Sequence, residues 1–395
     1  MNYGQPINWI QTSFVLIVIG GNSLTLGQTP FLETCRSAAE HYSAIAFASY
    51  SAAQAKAIEL NRSLKSFVEN PDESGLQAAR EAWKSSREPY LQTEVFRFYG
   101  GPIDDEKGLE PLINGWPLDE FYIDYVRGAP NAGIINNEKD YPEITTELLQ
   151  RHNEQAGETA ITCGFHAIEF LLWGQDFSKT GPGNRPLSDF TTSAQAQRRG
   201  SYLLACGQLL VRHLGKIVDE WAPNSTSNFR SQFLANDPRR SLWYAVYGMR
   251  TFSGKELAGE RLLVAWDTKA QEDEHSCFSD NTLVDLQFDA LGINNIFKGH
   301  FQRTNQPALS GPGLETVFTL IDPILTDQLR QGITQVQRKV SQIPPPFDQT
   351  ILESDDSPGR QSILACVEQL ETVAANLAPF EQWFIASLKP ASTDD

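Results

Sequence analysis

An all-α protein of two successive four-helix-bundle-like domains is what this sequence predicts, and three observations carry the prediction. Apolar residues recur at three- and four-residue spacing through long stretches poor in Gly and Pro, which marks amphipathic helices with one buried face. Strand-like alternation is nearly absent. At 395 residues the chain exceeds one ordinary core, since domains commonly hold about 100–200 residues, so two units are expected.

Residues 1–30 read as a signal segment. The apolar run Ser13–Ile19 (SFVLIVI) is much shorter than the ~20 apolar residues of a membrane span and matches the h-region of a secretory signal. No Lys or Arg precedes it and no clean small-x-small cleavage site follows it, so a buried segment of the mature fold is the alternative. Export is expected, with no transmembrane span in the mature chain. Residues 31–68 carry no Gly or Pro and present one apolar face, which predicts the first helix. Pro71-Asp72-Glu73-Ser74 supplies a break and a helix start, a second helix covers 75–98, and Gly100-Gly101-Pro102 ends it. Residues 100–138 are loop-rich, and helices fit 140–153 and 155–173. The stretch 177–188 (FSKTGPGNRPLS) is the boundary, giving an N-terminal domain over 31–188 and a C-terminal domain over 189–395. Helical patterning then covers 189–221, 238–275, 311–343 and 360–388, with Pro344-Pro345-Pro346 separating the last two. Each half pairs a long helix with one holding Trp and Arg (Trp83 and Arg87; Trp243 and Arg250), which raises internal duplication as an expectation.

Charge excludes one class of partner. The 49 acidic and 32 basic residues leave a net charge of −17, and no Lys/Arg stripe is present, so a nucleic-acid backbone would be repelled. The five cysteines (Cys35, Cys163, Cys206, Cys277, Cys366) form no CxxC or zinc-ribbon spacing and read as small buried apolar groups.

The segment CGFHAIEFLLWGQD (163–176) is apolar apart from an imidazole and two acids. Residues three apart lie together on a helix, so His166 and Glu169 can enter one pocket. A buried His–Glu hydrogen bond is the plain explanation; a metal-ligand pair is the sharper one. In QEDEHSCFSDNT, Glu272 and His275 repeat the spacing in reverse, the order that helical di-iron carboxylate bundles use. Asp280 follows them, and Glu256, Glu260 and Arg261 precede them in KELAGER. Glu94 and Arg97 stand in TEVFRFYGGPID, with Asp104 and Asp105 after them. Carboxylates with imidazoles and no cysteine suit iron or zinc. No phosphate-binding glycine loop, GxSxG elbow or HExxH helix occurs.

GFHAIEFLLWGQD resembles the GxHxxE signature of the imelysin-like family, met here by Gly164, His166 and Glu169. EVFRFYGGPID, GLEPLINGWPLDEFYIDYV, GPGNRPLSDF, SGKELAGERL and QEDEHSCFSDNT follow in the order expected of that family, from residue 33 to the C-terminus. The likeness is greatest to its iron-regulated branch in bacterial and cyanobacterial envelopes. The resemblance implies two duplicated helical domains with a functional cleft where they meet. It implies export to the periplasm or envelope and a role in iron acquisition, with an envelope iron transporter as a partner. It gives His166 and Glu169 the ligand roles. Asp104 joins them from the turn Pro102-Ile103-Asp104, and Glu94 is the first choice of upstream carboxylate, with Glu88 its competitor. Arg97, Glu256, Glu260, Arg261, Glu272, His275 and Asp280 are expected around them. The bound species is a metal ion or chelate, iron first and zinc as the alternative. Since the family takes its name from a peptidase activity, a zinc peptidase is the competing function and an envelope scaffold the third. The chain departs from expectation in its signal, which lacks a basic n-region.

Overall fold

The computed structural model describes residues 24–106 and 108–388. The apolar run Ser13–Ile19, and with it most of the expected signal segment, lies outside the described residues.

Helix α1 (Leu24–Glu69) buries Cys35, Ala38, Tyr42, Ile45, Ala46, Ala53, Ala57, Leu60, Leu64 and Phe67 along one face. Its buried alanines let neighbouring helices approach closely. Helix α2 (Glu73–Leu91) starts where the Asp72 carboxylate accepts the Gly75 amide at 2.6 Å, the usual N-cap device. It stops earlier than expected because the Thr93 hydroxyl donates to the Tyr90 carbonyl and the chain turns. The helix expected over 155–173 is shorter too: α3 spans only Phe165–Trp173, after a turn in which Gly157 and Gly164 take positive φ. Helix α4 (Ala196–Trp221) closes the group. Helix α1 packs on α2 and α4, and α3 packs on α2 and α4, making a four-helix ring. Because α4 lies beyond residue 188 yet finds its partners in this ring, the first bundle takes in residues that the sequence reading assigned to the second domain.

Helix α5 (Pro238–Thr251) runs into a π-helical stretch, Phe252–Leu263, and finishes as Val264–Thr268. With α6 (Thr282–Lys298), α7 (Pro323–Val340) and α8 (Pro358–Ser387) it forms the second bundle. Helix α8 packs on α5, the π stretch and α7, and α6 packs on α7. Asp322, capping the amides of Ile324 and Leu325, separates α7 from the short helix Leu314–Ile321, so the helix expected over 311–343 is two.

The bundles meet along α1 with α5 and α2 with α6, and their buried apolar residues join into one core. The approach is close: a Cβ on Gly292 of α6 would stand 2.8 Å from the Gln92 carbonyl just after α2. The named strands among the described residues are a two-residue antiparallel pair, His300–Phe301 with Leu309–Ser310. No helix among the described residues is long and apolar enough to cross a membrane.

Candidate functional site

Helix α3 has nine residues and all are buried. Its entry is set by Gly164 at φ 91°, where an added Cβ would stand 2.7 Å from the Ile113 carbonyl, so a side chain has no room there. This seats His166 and Glu169 between the bundles. His166 Nδ1 and Glu169 Oε2 are 2.9 Å apart, and both side chains are fully buried. Glu169 Oε1 accepts the Ser279 amide at 3.0 Å and the Ser279 hydroxyl at 2.7 Å. The loop from 274 to 281 therefore clasps the carboxylate of α3. His166 Nε2 is buried and has no hydrogen-bond partner among the described residues. Its ring packs against Trp116 (4.8 Å between centroids) and His275 (5.3 Å).

A buried ion pair crosses the bundle interface beside this pair. Arg87 of α2 donates to Asp285 of α6 at 2.6 Å and also to Asn114. Asp285 further accepts from the Ser276 hydroxyl at 2.6 Å and the Asn281 amide at 2.7 Å, and lies 3.2 Å from His275 Nδ1. Burial works against an ionised Asp285, but Arg87 and His275 outweigh it and hold the carboxyl below the usual range. Burial dominates at Glu169 and pushes it up to about 8, although Ser279 and Arg87 oppose the rise. Burial, with the Arg87 charge next, drives His166 well below its ordinary value. Burial and Arg261 take His275 down to about 4. Both imidazoles are therefore neutral near pH 7.

The other expected residues divide. Glu94 is buried and pairs with Arg97 at 2.7 Å and with Arg261. Burial raises its carboxyl, yet the two guanidiniums prevail and hold it low. Arg261 also reaches Asp289 at 2.9 Å and Glu256 at 3.1 Å. Asp104 serves its own turn, accepting the amides of Phe98 and, at 3.0 Å, Gly101. Glu88 is exposed on α2. Glu272 and His275 do not share a helix face: the 3-10 turn ends at Asp273 and extended Glu274 follows, leaving Glu272 exposed and His275 buried. Asp280 lies at φ 53° after Ser279. A cavity of about 380 Å³ is lined by Arg97, Glu110, Trp116, Glu256, Glu260, Arg261, Asp273 and His275, among others. Among the described residues, no group of three or more His, Cys, Asp and Glu side chains is arranged to hold a metal ion.

Sequence reasoning missed Arg87 as a site residue, together with Asn114, Ser276, Ser279, Asp285 and Asp289. Asp285 and Asp289 carried a signal: two acids four apart in the otherwise apolar TLVDLQFDALGI, the same anomaly that singled out His166 and Glu169.

Comparison with known proteins agrees with this architecture. Residues 46–377 match the model of a peptidase family described as Imelysin. The chain is 26% identical over 330 residues to Iron-regulated protein A of Synechococcus elongatus, covering 82% of this chain and 79% of that one. A crystal structure from Parabacteroides distasonis, provisionally described as an iron-regulated protein A precursor, shares the fold with a TM-score of 0.70 and 17% identity. The match covers 89% of this chain and 95% of that one.

Proposed function

The chain belongs to the imelysin family, and from that premise we propose that it binds an iron-containing species where its two bundles meet, as part of iron acquisition at the cell envelope. The observation that carries the reading is His166 Nε2, a buried nitrogen with no partner among the described residues. With Glu169 ionised, His166 donates from Nδ1 to the carboxylate, and Nε2 presents its lone pair; metal-binding histidines are commonly oriented in this way. Ser279 fixes Glu169 through two hydrogen bonds, so the ring's direction is set before anything binds. The relative named Iron-regulated protein A supports iron as the metal.

An ion enclosed by protein alone would want three or four donors already gathered. The described residues offer no such set, so the species that fits brings ligands of its own, as a chelate or a hydrated ion does. When bound, the metal supplies a Lewis-acidic centre that the protein retains and releases. Glu110, Glu256, Glu260 and Asp273 outnumber Arg97 and Arg261 around the adjoining cavity, which favours a cationic or neutral species over an anionic one. Export and delivery to an envelope iron transporter belong to the same proposal and rest on the resemblance to the iron-regulated branch. The family's peptidase description keeps hydrolysis as the second reading; the missing three-donor set weighs against it.

Metal analysis of the purified chain, with thermal shifts across iron, zinc, copper, manganese and calcium, tests the proposal. Iron should co-purify or raise Tm as ligand linkage requires, and His166→Ala should lose most of that rise. No shift with iron, together with casein cleavage that His166→Ala abolishes, would transfer the assignment to the peptidase.

A further inference from the structure

On the other side of the loop that clasps Glu169 stand four carboxylates from three parts of the chain. Asp176 follows α3, Glu274 and Asp280 belong to the loop entering α6, and Asp348 opens the short helix Phe347–Leu352. Glu274 is fully buried, and neither of its carboxylate oxygens has a hydrogen-bond partner among the described residues. The same holds for Oδ1 of Asp348, which is 4% exposed, and for Oδ1 of Asp280. Asp348 and Asp280 act as like charges on Glu274, and Asp348 and Asp176 act so on Asp280, with Lys84 opposing. Elsewhere in this protein buried acids are matched: Glu94 by Arg97 and Arg261, Asp285 by Arg87, Asp124 by Arg185 and Arg199. Among the described residues, no salt bridge joins Asp176, Glu274, Asp280 or Asp348 to any cation.

Buried carboxylates without partners are expensive unless they coordinate a metal or keep a proton. We propose that Glu274, Asp280 and Asp348, with Asp176 beside them, form a site for a hard divalent cation of the calcium class. The donors are all oxygen, which suits a hard cation rather than a soft one. Their oxygens do not yet surround a common point, as expected of like charges with no counterion between them; the cation draws them together. Asp280 directly follows Ser279, whose amide and hydroxyl hold Glu169, and Glu274 directly precedes His275. A cation there pins both ends of the loop that seats the His166–Glu169 pair. The site is separate from the iron reading and stands or falls without it.

The full exported chain, stripped with EDTA and dialysed, is titrated with Ca²⁺ by calorimetry and by thermal shift, up to about 10 mM. That limit exceeds the roughly 10⁻⁴–10⁻³ M dissociation constants of extracellular calcium modules. A saturable heat and a rising Tm are expected. Asp348→Asn and Asp280→Asn should remove most of the rise, and in EDTA both should melt above the wild type because repulsion is relieved. His166→Ala should keep the calcium response, which separates this test from the iron test. Asp280 is half-buried, so its variant folds even if substitution at Asp348 proves disruptive. A wild type with no calcium heat and no shift overturns the proposal, as does a calcium shift that both variants retain. The first outcome would leave these acids as proton carriers.

Discussion

Replacing Glu169 by Gln isolates the cost of burying one carboxyl. Burial holds the Glu169 proton up to about 8 instead of the ordinary 4.5. Below pH 4.5 both folded and unfolded chains carry that proton, and Glu169 adds no pH dependence. Between 4.5 and 8 the unfolded chain ionises while the folded chain does not, so unfolding releases a proton and stability falls as pH rises. Above 8 the loss levels off. At about 1.4 kcal/mol per pH unit the full loss is about 5 kcal/mol. Gln imitates the protonated side chain: its amide N–H can donate to His166 Nδ1 while its oxygen accepts from Ser279, and it cannot ionise. Urea unfolding of both proteins in EDTA at about pH 5 and pH 8.5 gives the comparison. The variant should gain about 4 kcal/mol on the wild type between the two conditions. Glu274, Asp289 and the other buried acids titrate in both proteins and cancel. Stabilities that run parallel, within about 1 kcal/mol, would show that Glu169 is ionised in the fold and refute the reasoning.

Two further outcomes follow from the packing. Arg87→Met should cost about 3–5 kcal/mol in urea unfolding because it strands Asp285 in the core. Adding Asp285→Leu should recover part of that, and only part, since Ser276 and Asn281 lose their acceptor. Gly164→Ala should cost about 2–4 kcal/mol, read as a fall in Tm, because it meets both a positive φ and the Ile113 carbonyl; an unchanged Tm would mean that the turn before α3 can move.

The helices were readable because their apolar spacing is local. In α1 the period runs from Cys35 to Phe67, and the pattern alone places its buried face. Boundaries were less readable where a single side chain decides them, as the Thr93 hydroxyl does at the end of α2 and Asp322 does ahead of α7. The division at 188/189 followed composition, whereas membership of a bundle is decided by contact, and α4 finds its partners in α1 and α3. The His166–Glu169 contact was visible because both residues lie on one helix. Glu169 meets Ser279 110 positions away and Arg87 meets Asp285 198 positions away, and no periodicity reports such encounters. Glu272 misled for a related reason: its spacing to His275 matters only on a helix, and extended Glu274 breaks the helix between them.

The π-helical stretch ties the pitch of one helix to its charges. The Val264 amide donates back to Gly259, five residues earlier, in place of the α-helical four. Under α winding, residues four apart stack, so Glu256 would lie over Glu260, an acid over an acid. Under the wider winding the fifth residue comes round instead, and Glu256 meets Arg261 at 3.1 Å. Tightening this segment by one notch would exchange an attraction for a repulsion, and the charge sequence works as a latch on the wider form. Arg261 also grips Glu94 after α2 and Asp289 on α6. A change of pitch would therefore slacken the seam between the bundles, and the number of residues per turn in one helix becomes a property that the whole junction feels.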